Sequence, residues 1–401
     1  MMQSPTHRRL NIVLVTETWP PEINGVAHSI FQLVQGLAQR GHQITLIRPA
    51  QRHQVACEAV SDELLVRGFP IPRYPQLQGG VPAYGAVRQK LIDVQPDVVH
   101  IVTEGLLGLA ALYAARSLNL PVSSGFHSPF HEFSRFFGLG YLLTPILSYL
   151  RFFHRRTQIT CVPSQKTLDQ LHARGFERLC VVGRGVDTTQ FSPSYRDECL
   201  RQAWGATPQG TVVLYVGRLS PEKGIDLVIR GFQQLRLAQP MRDLRLVIVG
   251  DGPDRARLQK LAPDAIFTGM QTGCELSAHY ASADVFCFAS QVETFGNVVL
   301  EAMASGLPVI AFDDACAGQV ITHHQHGWLA ALADEDQLVQ LMRQLLPQWR
   351  LMEMGKAARV RVAAMSWQQP VIALEQAMQK AIACSTVCAV QDQDARMMIK
   401  K

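Results

Sequence analysis

Short apolar runs alternate along this chain with longer stretches in which apolar positions recur every three or four residues, so a strand-then-helix rhythm is visible before any motif. Residues 10–16 are a continuous β-rich run, residues 26–40 carry helical periodicity, Gly41 stops it, and residues 42–47 return to strand character. Further strands are predicted at 97–102, 122–126 and 159–162, with a helix at 106–118 among them. Because these runs are apolar throughout rather than alternating, they predict parallel strands buried on both faces by helices. Residues 50–96 are less regular. The rhythm restarts with strands at 211–216, 244–249, 265–267, 285–288 and 309–311 and helices at 225–237 and 254–261. A final helical pattern covers 371–383 after Pro370, and residues 385–401 read as a frayed tail.

At 401 residues the chain is too long for one ordinary core. Two Rossmann-like, doubly wound α/β domains are expected, facing each other across a deep cleft at the carboxyl ends of their strands, where such folds bind ligands. The Pro- and polar-rich segment 188–197 marks the switch, giving domains 1–192 and 193–365, with the helix 366–384 packing back on the first. Charged residues make up 18%, below the usual share of about a quarter, and the net charge is +5. That balance does not point to nucleic acid, and no basic motif interleaved with aromatic residues occurs. It suits an anionic ligand or an anionic membrane surface.

Nine cysteines without a C-x-x-C, three of them (Cys161, Cys180, Cys287) inside apolar strands, read as reduced thiols of a cytoplasmic protein. No apolar region and cleavage site precede the first strand, so no signal peptide is expected. The uncharged stretch 136–150, flanked by Arg135 and Arg151 and followed by Phe152, Phe153, Arg155 and Arg156, is too short and too broken by Gly138, Gly140 and Pro145 to span a bilayer. It reads equally as a helix lying in a membrane surface or as a buried helix with a basic end.

The candidate chemistry sits after strands. Glu293 and Glu301 stand with seven residues between them, and Gly296 and Asn297 read as the start of the intervening helix. Two carboxylates would then border a helix N-terminus that favours an anion, while offering acceptors to sugar or ribose hydroxyls. Gly217, Arg218, Lys223 and Gly224 form a loop after a strand, where two cations and open backbone suit a diphosphate. The turn Gly250-Asp251-Gly252-Pro253 is as readily structural as ligand-binding, and Gly269 ends a strand where backbone could meet a nucleobase. In the first half, Gly25 opens a helix after Pro20-Pro21, and His127 follows a strand and would point into the cleft. The absence of G-x-G-x-x-G, with Arg48-Pro49 ending the second strand, disfavours a dinucleotide dehydrogenase. His323, His324 and His326 lack ligand spacing to a carboxylate or thiol, so no metal site is expected.

Taken together, Pro20-Pro21 with Gly25, His127, the Arg218/Lys223 loop, and Glu293 and Glu301 followed by Gly306 and Pro308 resemble glycosyltransferase family 4, retaining nucleotide-sugar enzymes of the GT-B fold. The resemblance runs from Asn11 to about Ala383. Thr103-Glu104-Gly105, Phe126 to Phe130, Arg135 and Gly138 are most similar to bacterial GDP-mannose-dependent α-mannosyltransferases and to sulfoquinovosyltransferases acting on glycolipids. It implies that Arg218 and Lys223 neutralise the donor diphosphate, Glu301 binds the ribose, Glu293 the transferred sugar, and His127 the sugar near its anomeric centre. Gly25, Gly296, Asn297, Gly217 and Gly269 would approach donor groups. It implies an acceptor-side first domain and a donor-binding second one, a lipid-linked or glycan acceptor, no cofactor or metal, and peripheral contact with the inner face of the cell membrane. Thr294 departs from the proline frequent at that position and removes its stiffening. GDP and UDP donors both remain open, as does a binder without catalysis.

Overall fold

The computed structural model describes residues 8–22, 24–51, 57–71, 74–127 and 143–399. The chain divides into two compact units, 1–184 with 367–401, and 185–366. The boundary thus lies before the expected 192/193, because Val186 and Phe191 are buried in the second unit's core and the Val186 amide donates to the Met365 carbonyl at 2.8 Å.

The first unit holds a seven-stranded parallel sheet built from β1 (Asn11–Val15), β2 (Gln43–Pro49), β3 (Asp62–Val66), β6 (Val98–Ile101), β7 (Val122–Gly125), β8 (Ile159–Val162) and β9 (Leu179–Val181). Its order is β3-β2-β1-β6-β7-β8-β9, with an antiparallel pair of β4 (Gly68–Ile71) and β5 (Tyr74–Gly80) beside it. The irregular stretch 50–96 therefore contains β3, that pair and the helix Tyr84–Val94. Its strands escaped the sequence pattern because β3 is mostly exposed, which removes the continuous apolar run.

The long helix Gln368–Ile399 belongs to this unit, and the segment expected to fray continues it to Ile399. Leu374, Met378 and Ala381 pack with Leu33, Val34 and Leu37 of the Gly25–Gln39 helix, and Glu375 pairs with Arg40 at 2.7 Å. Of the basic, apolar stretch 136–156, residues 136–142 lie outside the described residues, as do Ser128, Pro129, Phe130 and Arg135. Of the rest, all but Arg155 and Arg156 forms the helix Leu143–His154, in which Leu150, Phe153 and His154 are buried. Arg156 lies 3.6 Å from the centroid of the Phe152 ring, so that end of the cluster is spent on its own neighbours.

The second unit holds a six-stranded parallel sheet ordered β12-β11-β10-β13-β14-β15. Its strands are β10 (Thr211–Val216), β11 (Leu244–Val249), β12 (Ile266–Gly269), β13 (Val285–Phe288), β14 (Val309–Phe312) and β15 (Gly327–Ala330). β10, β13 and β14 are buried at every position, which is why the sequence shows them as unbroken apolar runs. The order reverses direction between β10 and β13, a switch point whose loops carry ligands in such sheets. Among the described residues no helix is long and apolar enough to cross a membrane.

Met378, on the C-terminal helix, is fully buried against the first helix. Met378→Ala is expected to lower stability by about 2–5 kcal/mol through cavity formation, read as a lower urea midpoint at unchanged slope.

Candidate active site

The loops leaving β10 and β13 in the second unit are stitched together by backbone. The Gln291 amide and the Ser290 hydroxyl both donate to the Glu222 carbonyl at 3.4 Å. The Pro221–Lys223 turn is thereby set against the residues that lead to Glu293. On this frame the Lys223 ammonium donates to Glu293 Oε1, and both side chains are largely buried. Arg218 lies 3.4 Å from Glu222 Oε1, which also accepts from the Ser220 hydroxyl at 2.6 Å. Glu222 is fully buried and Arg218 is 29% exposed, so the guanidinium is anchored at one edge and accessible at another. The two cations therefore do not stand as a bare positive loop. Each is held by a carboxylate that lowers the local charge and limits its rotamers.

Tyr215, fully buried at the end of β10, donates to the Arg218 carbonyl at 3.3 Å. Burial, reinforced by the Glu293 and Glu222 charges, pushes its hydroxyl well above the ordinary value, so it stays a protonated donor. Glycine is required where β11 ends. Gly250 has φ +134°, and a Cβ there would lie 1.9 Å from the Gly217 carbonyl oxygen. The turn 250–253 is thus explained by loop-on-loop packing. Gly269, next in line, accepts from the Gly250 amide at 2.8 Å, and a Cβ there would meet only Arg255, at 3.6 Å.

The helix Asn297–Ala304 begins where the sequence places it, but Gly296 is its cap, at φ +91°. A glycine cap has no side chain of its own to offer the first amides. Glu301 lies one turn in, and its Oε2 accepts from the Tyr280 hydroxyl at 2.9 Å. Tyr280 is fully buried, and desolvation followed by the Glu301 charge raises its hydroxyl well above the usual range. One lobe of Glu301 is thus fixed by a permanent donor. Sequence reasoning missed Tyr280, Tyr215 and Glu222; only Glu222 had a signal, its place between the two cations.

In the first unit, Asn24 caps the Gly25–Gln39 helix by accepting from the Val26 and Ala27 amides at 3.1 and 2.8 Å. Two amides expected to face a ligand are therefore already used. Gly25 itself opens on free space, with nothing within 4 Å of a Cβ position. His127 is buried rather than presented, and its ring lies against Gly125, where an added Cβ would sit 2.2 Å from Nε2. Arg184 donates to His127 Nδ1 at 2.9 Å, which places the ring proton on Nε2. Burial first, then the Arg184 charge, hold this histidine well below its ordinary value, so it is neutral.

Two residues past β1, Glu17 accepts from the Leu107 amide at 2.9 Å. Burial, opposed by these amide bonds and assisted by Glu104, raises its carboxyl to about 7. Glu104 contacts His154 Nε2 at 3.2 Å, both buried. Neither Glu17 nor Arg184 was singled out from the sequence. Arg184 follows a strand within Gly183-Arg184-Gly185, the one available signal.

Among the described residues no group of three or more His, Cys, Asp or Glu could hold a metal ion. His323 Nδ1 accepts from the Leu329 amide at 2.9 Å and His326 Nδ1 from the Thr322 amide at 3.1 Å, so the histidine cluster caps local backbone.

Two parallel-sheet α/β units, the second carrying a carboxylate-anchored cation pair at its switch point, define the molecule as a GT-B glycosyltransferase. Residues 23–190 match the family profile described as Glycosyltransferase Family 4, and residues 210–348 that described as Glycosyl transferases group 1. The chain is 36% identical over 364 residues to a GDP-mannose-dependent alpha-mannosyltransferase of Mycobacterium tuberculosis, covering 89% of this chain and 93% of that protein. It is 28% identical to an alpha-monoglucosyldiacylglycerol synthase of Streptococcus pneumoniae, over 80% of this chain and 75% of the relative. Among solved structures it is similar to Anabaena Alr3699/HepE in complex with UDP and glucose, with a TM-score of 0.73 at 18% identity, covering 92% of this chain and 100% of the other. The chain belongs to glycosyltransferase family 4.

The raised Glu17 carboxyl gives a pH signature. Its folded state keeps a proton that the unfolded state loses, so this contribution to stability is full below about 4.5 and is lost as pH rises through about 7. Against wild type, Glu17→Gln is expected to gain relative thermal stability between pH 5 and 8. Thermal melts of both proteins across that range check it, and a constant difference refutes it.

Proposed function

We propose that this transferase moves a mannosyl residue, with retention, from GDP-mannose to a hydroxyl of a lipid-linked acceptor at an anionic membrane surface, without a metal ion. The observation that carries this reading is the Arg218/Lys223 loop, its cations anchored by Glu222 and Glu293, in a chain 36% identical to a GDP-mannose-dependent alpha-mannosyltransferase. Glycolipid acceptors are supported by the likeness to the alpha-monoglucosyldiacylglycerol synthase. Membrane contact is supported by the low charged fraction of 18%, by half-buried Arg151 in the Leu143–His154 helix and by exposed Arg155 just after it.

In this reading the donor diphosphate meets Arg218 and Lys223, with the amides at Gly296 and Asn297 close to phosphate or sugar. Glu301, held by Tyr280, accepts from the ribose hydroxyls, and Glu293 from hydroxyls of the transferred sugar. Gly217 and Gly269 offer backbone to the nucleotide. In the first unit, Gly25 and the Nε2–H side of His127 are the proposed ligand contacts. The acceptor oxygen attacks the anomeric carbon on the face the diphosphate leaves, through an oxocarbenium-like transition state. The C–O bond to phosphate breaks, and the departing phosphate oxygen takes the acceptor's proton. Lys223 and Arg218 stabilise the charge that builds on that leaving group, and because they are already oriented, little reorganisation accompanies the step.

GDP-mannose, UDP-glucose, GDP and UDP are to be compared by thermal shift, and transfer to a lipid acceptor by mass spectrometry in the presence and absence of a chelator. GDP and GDP-mannose are expected to raise the melting temperature above the uridine compounds; selective stabilisation by UDP would overturn the donor assignment. Lys223→Ala is expected to lower kcat by about 10²–10³-fold, the range for loss of one charge-stabilising donor. Wild-type turnover in that variant with saturating donor would remove Lys223 from the mechanism. Sedimentation with anionic liposomes at low salt tests the membrane contact.

A further inference from the structure

Two thiols outside the transfer chemistry meet in the first unit. Cys161 on β8 and Cys180 on β9 are direct register partners in the sheet, and their sulfurs lie 3.7 Å apart. Cys161 is buried and Cys180 half-buried, both packed against the core beneath the C-terminal helix. We propose that Cys161 and Cys180 form a peroxide-responsive thiol pair that closes to a reversible disulfide and reports the redox state to the His127 site through β9.

The geometry allows closure with a local shift. Closing a sulfur separation of 3.7 Å to a bond of about 2.05 Å, between directly paired strands about 4.7–4.9 Å apart where disulfides prefer Cα atoms about 5.5–6 Å apart, requires β9 to shift against β8. β9 is the last strand of the sheet and only three residues long, with no further strand to hold it back. A bond made with such a shift is readily reduced again. The chemistry is divided between the two thiols. The hydrogen bond with Cys161 and the charge of Lys380 hold the Cys180 thiol below its ordinary value against the effect of burial, whereas the Cys161 thiol lies well above. The Cys180 thiolate attacks peroxide, giving a sulfenic acid and hydroxide. The Cys161 sulfur then displaces that hydroxyl as water, forming the S–S bond; overall two thiols are oxidised and one peroxide is reduced to two waters.

The consequence runs along the chain. β9 leads through Val182 and Gly183 to Arg184, whose guanidinium donates to both their carbonyls at 3.1 and 3.0 Å and to His127 Nδ1 at 2.9 Å. A displaced β9 therefore displaces the group that orients His127.

Wild-type protein treated with a small excess of hydrogen peroxide and digested without reductant should yield a peptide linked through Cys161 and Cys180. Two titratable thiols per chain should be lost, and dithiothreitol should restore both. Hydrogen exchange over residues 179–186 should change on oxidation in wild type and stay unchanged in Cys180→Ala. Sulfenic or sulfinic acid on Cys180 without the linked peptide would refute the pair. A linked peptide with unaltered exchange at 182–186 would refute its coupling to Arg184. Neither readout depends on donor or acceptor, so their failure is distinct from failure of the transfer reading.

Discussion

The ion pair between Lys223 and Glu293 is the contact on which the second unit's site depends. It joins two loops 70 residues apart in sequence that reach the same place only because β10 and β13 are adjacent parallel strands in the sheet. A lysine left alone on a loop has a long, freely rotating side chain, and ordering it costs conformational entropy. Held by Glu293, and with its turn bonded through the Glu222 carbonyl to Ser290 and Gln291, it is ordered before any ligand arrives. Arg218 is treated in the same way by Glu222. The site thus has its cations in place at the expense of two carboxylates, one of them fully buried.

Buried and half-buried polar groups serve the same purpose in the first unit. Arg184 fixes the tautomer of His127, Asn24 closes the start of the first helix, and Glu17 meets the helix that begins at Leu106 through the Leu107 amide. Arg184 is buried and Asn24 and Glu17 half-buried, and the hydrogen bonds each makes offset the loss of water at the end of a strand or helix. The Tyr280 to Glu301 bond repeats the device in the second unit, where a phenol kept protonated by burial supplies a constant donor.

Elements buried on both faces were legible in the sequence. The strands at 159–162, 211–216, 244–249 and 285–288 fall where their apolar runs lie. Exposed or edge elements were not: β3 shows three exposed positions in five, β9 is only three residues long, and β4 and β5 carry glycine and proline. The boundary between units was misplaced by eight residues because composition marks the polar turn at 188–197, whereas the division follows which core claims Val186 and Phe191.

Local order along the chain was enough to determine the two α/β halves, the helix beginning at Asn297 with Glu301 one turn in, and the positions of Arg218, Lys223 and Glu293 in loops after strands, because apolar runs and helix starts are set by neighbours in sequence. Pairing was decided by the tertiary structure alone. Nothing in the order of residues says that Lys223 takes Glu293, that Arg184 takes His127, or that Cys161 lies beside Cys180, since each depends on which strands are neighbours in the sheet and at what register. The apparent cation pair of the sequence is therefore, in the folded protein, two anchored ion pairs: Arg218 with Glu222 inside one loop, and Lys223 with Glu293 because adjacent parallel strands bring their loops together at one end.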